Sequence, residues 1–188
     1  MLSFSTAGFF VKFAYADPPY FGCCRLYQHH HPDGLCWDEL PTHEALIARL
    51  VRDFPDGWAL SATSVSLRVI LPLCPPDVRV GAWAKSFCAF KKGVRPAYAW
   101  EPVIFWRGRN PNAGHSHAPP EKGGKQNTPK DFIVEPITLR KGLTGAKPEK
   151  VCKWILDLLN FQPGDTCADL YHGTGAMGRV VSNWALTG

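Results

Sequence analysis

The feature that most restricts the fold lies near the end of the chain. Thr166 to Tyr171 reads as a short strand, and it breaks into Gly173-Thr174-Gly175. Helical periodicity resumes at once, from Ala176 to Trp184. A strand that turns through glycines directly into a helix is half of a β-α-β unit, and such units build layered α/β domains with a mainly parallel sheet. Glycine suits the turn because it tolerates positive φ and lets another group approach the backbone. The free N–H groups at the start of the helix favour an anion or a carboxylate. With Gly178 the segment also spells GxGxxG, the dinucleotide pattern, which calls for an acidic residue about 20 positions later on a further strand. Only ten residues follow Gly178, so a dinucleotide site is not expected.

The rest of the chain supplies the other layers. Phe9 to Ala16 reads as a buried strand that stops at Pro18-Pro19, since neither proline donates to a ladder. Pro41 to Phe54 carries Leu46, Ile47, Leu50, Val51 and Phe54 on one face, an amphipathic helix begun by Pro41. Gly57 to Ala62, Val78 to Ala84 and Pro102 to Trp106 read as strands, and Ser64 to Leu71 as a helix stopped by Pro72. Pro148 to Leu159 is a strong helix with Val151, Ile155, Leu158 and Leu159 facing inward. Asn110 to Lys130 is poor in apolar residues and reads as a flexible loop. The expected architecture is a single α/β domain over residues 1–188, a mostly parallel sheet of about five strands with helices on both faces. It divides into one half at 1–107, a loop at 108–134 placed to touch a target, and a second half at 135–188.

Composition narrows the function classes. Apolar residues make up 45% and charged residues 20% of the chain, which fits a globular core and speaks against disorder. The seven cysteines are odd in number and form no CxxC, so neither a disulfide framework nor a zinc ribbon is implied, and reduced thiols in a cytoplasm are expected. Met1 to Ala16 is apolar but has no basic start and is interrupted by Lys12, so it reads as a strand rather than a secretory leader. No run approaches the ~18 apolar residues a membrane span needs. His29-His30-His31 with Cys23, Cys24 and Cys36 match no standard ligand spacing, and no metal is expected. The net charge of +5 suits a polyanion. Lys85, Lys91, Lys92 and Arg95 interleave with aromatics, and Arg107, Arg109, Lys122, Lys125 and Lys130 follow. That is the make-up of a phosphate-tracking surface, with a solvated loop face as the plainer alternative.

Asp17-Pro18-Pro19-Tyr20 closes the first strand. Ligand sites in open α/β sheets lie beyond the carboxyl ends of strands. Two prolines stiffen the backbone, Asp17 supplies an acceptor, and Tyr20 supplies a flat ring. A carboxylate and a carbonyl accept the two N–H bonds of an amino group while a ring covers a base. A plain turn would use the same residues.

Taken together, Asp17-Pro18-Pro19-Tyr20 and Asp169-Leu170-Tyr171-His172-Gly173-Thr174-Gly175 resemble the paired motifs of the DNA amino-methyltransferases, D/N/S-P-P-Y/F and D-x-F-x-G-x-G. Tyr171 stands where Phe is usual. The order, catalytic motif first and cofactor motif last, resembles the permuted β class. Gly145-Ala146-Lys147-Pro148 resembles the segment before the cofactor motif, and Trp100 to Trp106 the strand after the base-contacting hairpin.

The resemblance implies a reduced, permuted, Rossmann-like methyltransferase fold with S-adenosylmethionine as cofactor. It implies methyl transfer to an exocyclic amino group in DNA, adenine N6 ahead of cytosine N4, for which Ser is usual in the first position. It implies catalytic roles for Asp17, Pro18, Pro19 and Tyr20, with Asp17 and the Pro18 carbonyl on the amine and Tyr20 stacked on the base. Asp169, Tyr171, Gly173, Thr174 and Gly175 would surround the cofactor, with Lys147 and Thr144 near its amino-acid end. Phe90, Tyr98 and Trp100 are candidates to sandwich the base, and Lys91, Lys92 and Arg95 to hold the nucleic-acid backbone.

Departures from the family are visible. Ten residues after Gly178 leave no room for the strands that usually follow, or for their acidic ribose ligand. The only segment available for target recognition is 107–134, and a homodimer is compatible with so small a surface. The alternatives are an RNA base N-methyltransferase, whose motifs run in the opposite order, and a cofactor- or nucleic-acid-binding protein without turnover. The methyltransferase reading requires the two motifs to meet at one rim of one sheet.

Overall fold

The computed structural model describes residues 11–24, 34–88, 90, 92–110, 128–138 and 146–184. Among the described residues there are six strands: β1 (Lys12–Ala16), β2 (Gly57–Ser61), β3 (Arg79–Ala84), β4 (Trp100–Arg107), β5 (Phe132–Val134) and β6 (Thr166–Asp169). They form one sheet in the order β5-β3-β4-β2-β1-β6. The β1 strand runs parallel to β2 and β6, and β3 runs parallel to β5, whereas β4 is antiparallel to β2 and β3. Only β4 is therefore reversed. Its amino end shares one rim with the carboxyl ends of the other five.

Side chains alternate across the pleat. Phe13, Tyr15, Ala59, Trp83, Val103 and Phe105 pack with helices α3 (Glu149–Leu158) and α4 (Ala176–Trp184). Ala14, Ala16, Trp58, Leu60, Ile104 and Trp106 pack with α1 (Leu40–Asp53) and α2 (Leu67–Ile70). Both faces of the sheet are covered, which is why β1, β2 and β4 read as nearly continuous apolar runs. Of the helical stripes expected from spacing, Leu46, Ile47 and Leu50 on α1 and Val151 and Ile155 on α3 are buried, while Val51 and Leu158 are only partly so. Burying each such side chain fully contributes about 1.5–3 kcal/mol.

Gly81 lets α3 lie close. A Cβ there would stand 3.0 Å from both the Trp154 ring and the Asp131 carbonyl oxygen. Trp154 Nε1 donates to the Lys130 carbonyl at 2.8 Å, fixing the chain that enters β5. At the rim away from the β1 carboxyl end, Asp165 ties the start of β6 to the start of β1. It accepts the Val11 N–H at 3.1 Å and the Gln162 N–H at 2.9 Å, and pairs with Arg109.

Two elements differ from expectation. The segment 64–71 gives only the single turn α2, and the chain then tightens into a 3₁₀ turn, Leu71–Leu73. Pro72 has no N–H for an i→i−4 bond, and a 3₁₀ turn accommodates it near its start. The loop expected over 108–134 contains β5 at its end, paired with β3 from Ala82↔Phe132 to Ala84↔Val134. Residues 111–127 of that loop, and Phe9 and Phe10, lie outside the described residues. Among the described residues no helix is long and apolar enough to cross a membrane.

Candidate active site

Tyr15 on β1 stands opposite Asp169 on β6 in a parallel pair. Both strands thus release their chains at the same rim, about 4.8 Å apart. One enters Asp17-Pro18-Pro19-Tyr20, the other the glycine turn. A cleft opens between them, and Asp17, Lys147, Asp169, Tyr171, Gly173 and Thr174 line it. Ala176, Met177 and Cys152 supply an apolar wall.

The glycine turn needs its glycines. Gly173 has φ +46° and Gly175 φ +71°, in the left-handed region that side chains resist. The Gly175 N–H donates to the His172 carbonyl at 2.6 Å, and α4 begins at the next residue. The Tyr171 N–H donates to Asp169 Oδ1 at 3.3 Å. Burial holds the Asp169 carboxyl above the usual aspartate range, with the Tyr171 N–H opposing the shift. Burial likewise pushes the Tyr171 phenol up to about 12.

Four charged side chains and one phenol meet beside the cleft. The Lys147 side chain is only 6% exposed. Its Nζ donates to Asp17 Oδ1 at 2.9 Å, to Asp17 Oδ2 at 2.8 Å and to the Tyr20 hydroxyl oxygen at 2.7 Å. Glu101 Oε2 lies 3.3 Å from the same nitrogen. The Tyr20 hydroxyl faces two acceptors, Asp17 Oδ1 at 2.9 Å and Glu101 Oε2 at 3.1 Å. Lys85 Nζ donates to Glu101 Oε1 at 2.6 Å.

Two ammonium groups and two carboxylates leave the group neutral, which makes their burial tolerable. Burial alone would lower the Lys147 pKa, but Asp17 and then Glu101 outweigh it and hold the ammonium well above the ordinary lysine value. Burial would raise Glu101, but Lys147 and Lys85 prevail and its pKa falls. Burial first, and the Asp17 charge second, raise both Tyr20 and Tyr15 well above the ordinary phenol value. Both phenols are therefore neutral at physiological pH. Tyr15 shares a hydrogen bond of 2.8 Å with Ser61.

The Lys147 nitrogen lies 2.7 Å from the Tyr20 oxygen and 5.4 Å from the ring centroid. Those two lengths together place it beyond the hydroxyl, along the C–O axis and close to the ring plane. It therefore stacks on neither face of the ring.

The other expected residues fall into two groups. Tyr98 and Trp100, 46% and 39% exposed, line a second surface cavity with Ser64, Val65 and Arg95. Phe90 is 83% exposed, and Lys92 and Arg95 are exposed as well. Pro18 and Pro19 are buried. Pro18 and Tyr20 border a small niche with His43, Ser61 and Ser66. Thr144, Lys91 and His29-His30-His31 lie outside the described residues.

Sequence reasoning missed Glu101, Tyr15 and Ser61, and it read Lys85 as part of a phosphate-tracking surface, whereas the Lys85 side chain is only 10% exposed and its ammonium is taken up by Glu101. Glu101 carried one signal, a lone carboxylate within the apolar run from Trp100 to Trp106. Lys147 was expected at the cofactor's amino-acid end. It lines the cleft, and its ammonium is also bound to Asp17 and Tyr20.

No family model and no curated protein matches the chain. Solved structures do. The complex of M1.HpyAVI with S-adenosylmethionine (SAM) aligns at a TM-score of 0.55 and 16% identity, over 94% of this chain and 79% of that one. M1.HpyAVI itself aligns at 0.51 and 17% identity, over 94% and 78%. A protein from Thermus thermophilus, assigned as a DNA modification methylase and complexed with S-adenosyl-L-methionine, aligns at 0.53 and 16% identity, over 93% and 76%. The chain shares their fold. The likeness extends over 94% of this chain in the first of these and establishes the α/β architecture.

Proposed function

We propose that the chain is a SAM-dependent methyltransferase acting on DNA, and that it methylates the exocyclic amino group of a base, adenine N6 before cytosine N4. The observation that carries this reading is the convergence of the Asp17 turn and the glycine turn on one cleft. The structures of like fold support it, since two are complexes with SAM and one is assigned as a DNA modification methylase.

The residues of the cleft suit SAM. A Cβ at Gly173 would meet nothing nearer than the Tyr171 carbonyl oxygen at 3.8 Å, so the turn leaves room beside its backbone. Asp169 offers a carboxylate to the cofactor's ammonium, and the first N–H groups of α4 suit its carboxylate. Tyr171, Thr174, Gly175 and Lys147 complete the cradle, with Thr144 close to Lys147 in sequence. Ala176 and Met177 give an apolar wall. When bound, the sulfonium supplies a methyl group that is already activated.

The protein's task is to present the amine. An aromatic amine is a weak nucleophile because its lone pair is delocalised into the ring. Asp17 and the Pro18 carbonyl accept its N–H bonds, draw the nitrogen toward tetrahedral geometry and localise that pair. Pro18 and Pro19 fix the spacing of the two acceptors. Tyr20, whose ring faces are left clear by Lys147, covers the base. The proton that the amine sheds has Asp17 as its acceptor. Most of the catalysis is alignment and electrostatics. A base in duplex DNA must leave the stack, at a cost of a few kcal/mol. Phe90, Tyr98 and Trp100 offer aromatic surface for unstacked bases, and Lys91, Lys92 and Arg95 offer charge to the phosphates.

The test is mass spectrometry of nucleosides from DNA and from RNA incubated with the protein and labelled SAM. N6-methyladenine from DNA is the expected product. N4-methylcytosine would move the target base, label in RNA alone would move the polymer, and no label in either would overturn the reading.

A further inference from the structure

Glu101 begins from a problem of counting. A carboxylate has about four lone-pair sites. Among the described residues three hydrogen bonds reach Asp17: one from Lys147 on each oxygen, and one from the Tyr20 hydroxyl on Oδ1. In that arrangement Oδ1 is full and Oδ2 keeps one site. The Tyr20 hydroxyl, however, carries a single proton and has a second acceptor within reach, Glu101 Oε2 at 3.1 Å. When that proton goes to Glu101, Asp17 holds only the two bonds from Lys147 and keeps a free site on each oxygen.

Glu101 is itself held. It is the second residue of β4, paired with Trp83 on β3, and its side chain is 16% exposed. Lys85 Nζ fixes its other oxygen at 2.6 Å. Resting on the methyltransferase reading above, we infer that Glu101 is a positioning residue of the site, with Lys85 as its support: it draws the Tyr20 proton and shares the Lys147 ammonium, and so leaves Asp17 open to the target amine.

The charges around Lys147 give this a second consequence. Asp17, Tyr20 and Tyr15 face it from β1 and its turn, Glu101 from β4, Cys152 from α3, and Asp169 lines the same cleft from β6; Lys85 acts through Glu101. Burial opposes the Lys147 charge, and Asp17 and Glu101 maintain it. Loss of the Glu101 charge therefore lowers the pH at which Lys147 deprotonates.

The experiment compares wild type, Glu101→Gln and Glu101→Asp in the full chain. For Glu101→Gln, SAM affinity by calorimetry stays within about two-fold and kcat on DNA falls about ten- to a hundred-fold, the usual cost of a small misplacement. The alkaline limb of kcat moves down by about one pH unit or more, the usual effect of losing a facing charge. Glu101→Asp keeps the charge and so keeps the limb near its wild-type position, although kcat drops. The Lys147 ¹³Cε resonance, followed through a pH titration, reports the same shift without turnover. Wild-type kcat and an unmoved limb in Glu101→Gln would overturn the inference. So would losses of kcat, SAM affinity and Tm in equal measure, the mark of a purely structural role. A wild-type protein that methylates no DNA sinks the proposed function instead, and the Lys147 titration still decides whether Glu101 governs that ammonium.

Discussion

Two carboxylates, one buried and one partly open, stand at opposite ends of the same strand pair, and they are finished differently. Asp165, at the start of β6, has a side chain only 1% exposed. The Val11 N–H and one Arg109 nitrogen occupy its Oδ1, and the Gln162 N–H and Arg109 Nε, at 3.3 Å, occupy its Oδ2. Every lone-pair site has a donor. Asp17, just past the end of β1, is 19% exposed, lines the cleft and receives three hydrogen bonds among the described residues. A saturated carboxylate braces the fold and has nothing left to offer a substrate. An unsaturated one, held by a lysine it does not exhaust, retains a place for one more hydrogen bond.

That contrast is open to direct attack. The largest effect is expected for Asp17→Ala. Methyl incorporation into DNA should fall at least about a thousand-fold, as when a key electrostatic partner is removed, while calorimetry shows SAM binding nearly intact. An equal loss of cofactor affinity would break the division of labour between the two turns. Asp165→Ala should do the reverse. It removes the ion pair to Arg109 and the acceptor of two backbone N–H groups, so urea denaturation should show about 3–5 kcal/mol of lost stability, with turnover per folded molecule retained.

A smaller effect concerns pH. Burial raises the Asp169 carboxyl, so its charge is present above that raised value and lost below it. SAM affinity, followed by calorimetry from neutral to mildly acidic pH, should decline at a higher pH than an ordinary aspartate would dictate. The loss should be about ten-fold, the worth of a charge-assisted hydrogen bond. An affinity flat over that range would remove Asp169 from the cradle. The smallest change is expected for Lys153→Ala. Its pair with Asp157 is solvent-exposed at 59% and 37%, and the urea midpoint should report no more than about 0.5 kcal/mol.

Most of the sheet was readable because both of its faces are buried, which turns β1, β2 and β4 into apolar runs between turn residues. The helices α1, α3 and α4 were readable from spacing alone. The β5 strand was not. It is three residues long, with Phe132 and Val134 exposed, and it owes its form to pairing with β3, a partner 50 positions earlier at Ala82↔Phe132. The site shows the same divide. Asp17 and the glycine turn announce themselves because each is a local pattern at a strand end. Glu101 and Lys85 do not, since Tyr20 meets Glu101 across 81 positions and Asp17 meets Lys147 across 130. Contacts of that span follow from strand order, which local patterns do not encode.

The single reversed strand has a further consequence. Only β4 brings its beginning to the rim where the other strands finish, and its alternation sends Glu101 to the α3 side while Ile104 and Trp106 go to the α1 side. A slip of one residue against β3 would swap those sides throughout the strand. It would carry an acid into the hydrocarbon over α1 and set an apolar residue beside Lys147. Misregistered chains would thus lose the packing of the sheet and the charge cluster around Lys147 in the same event.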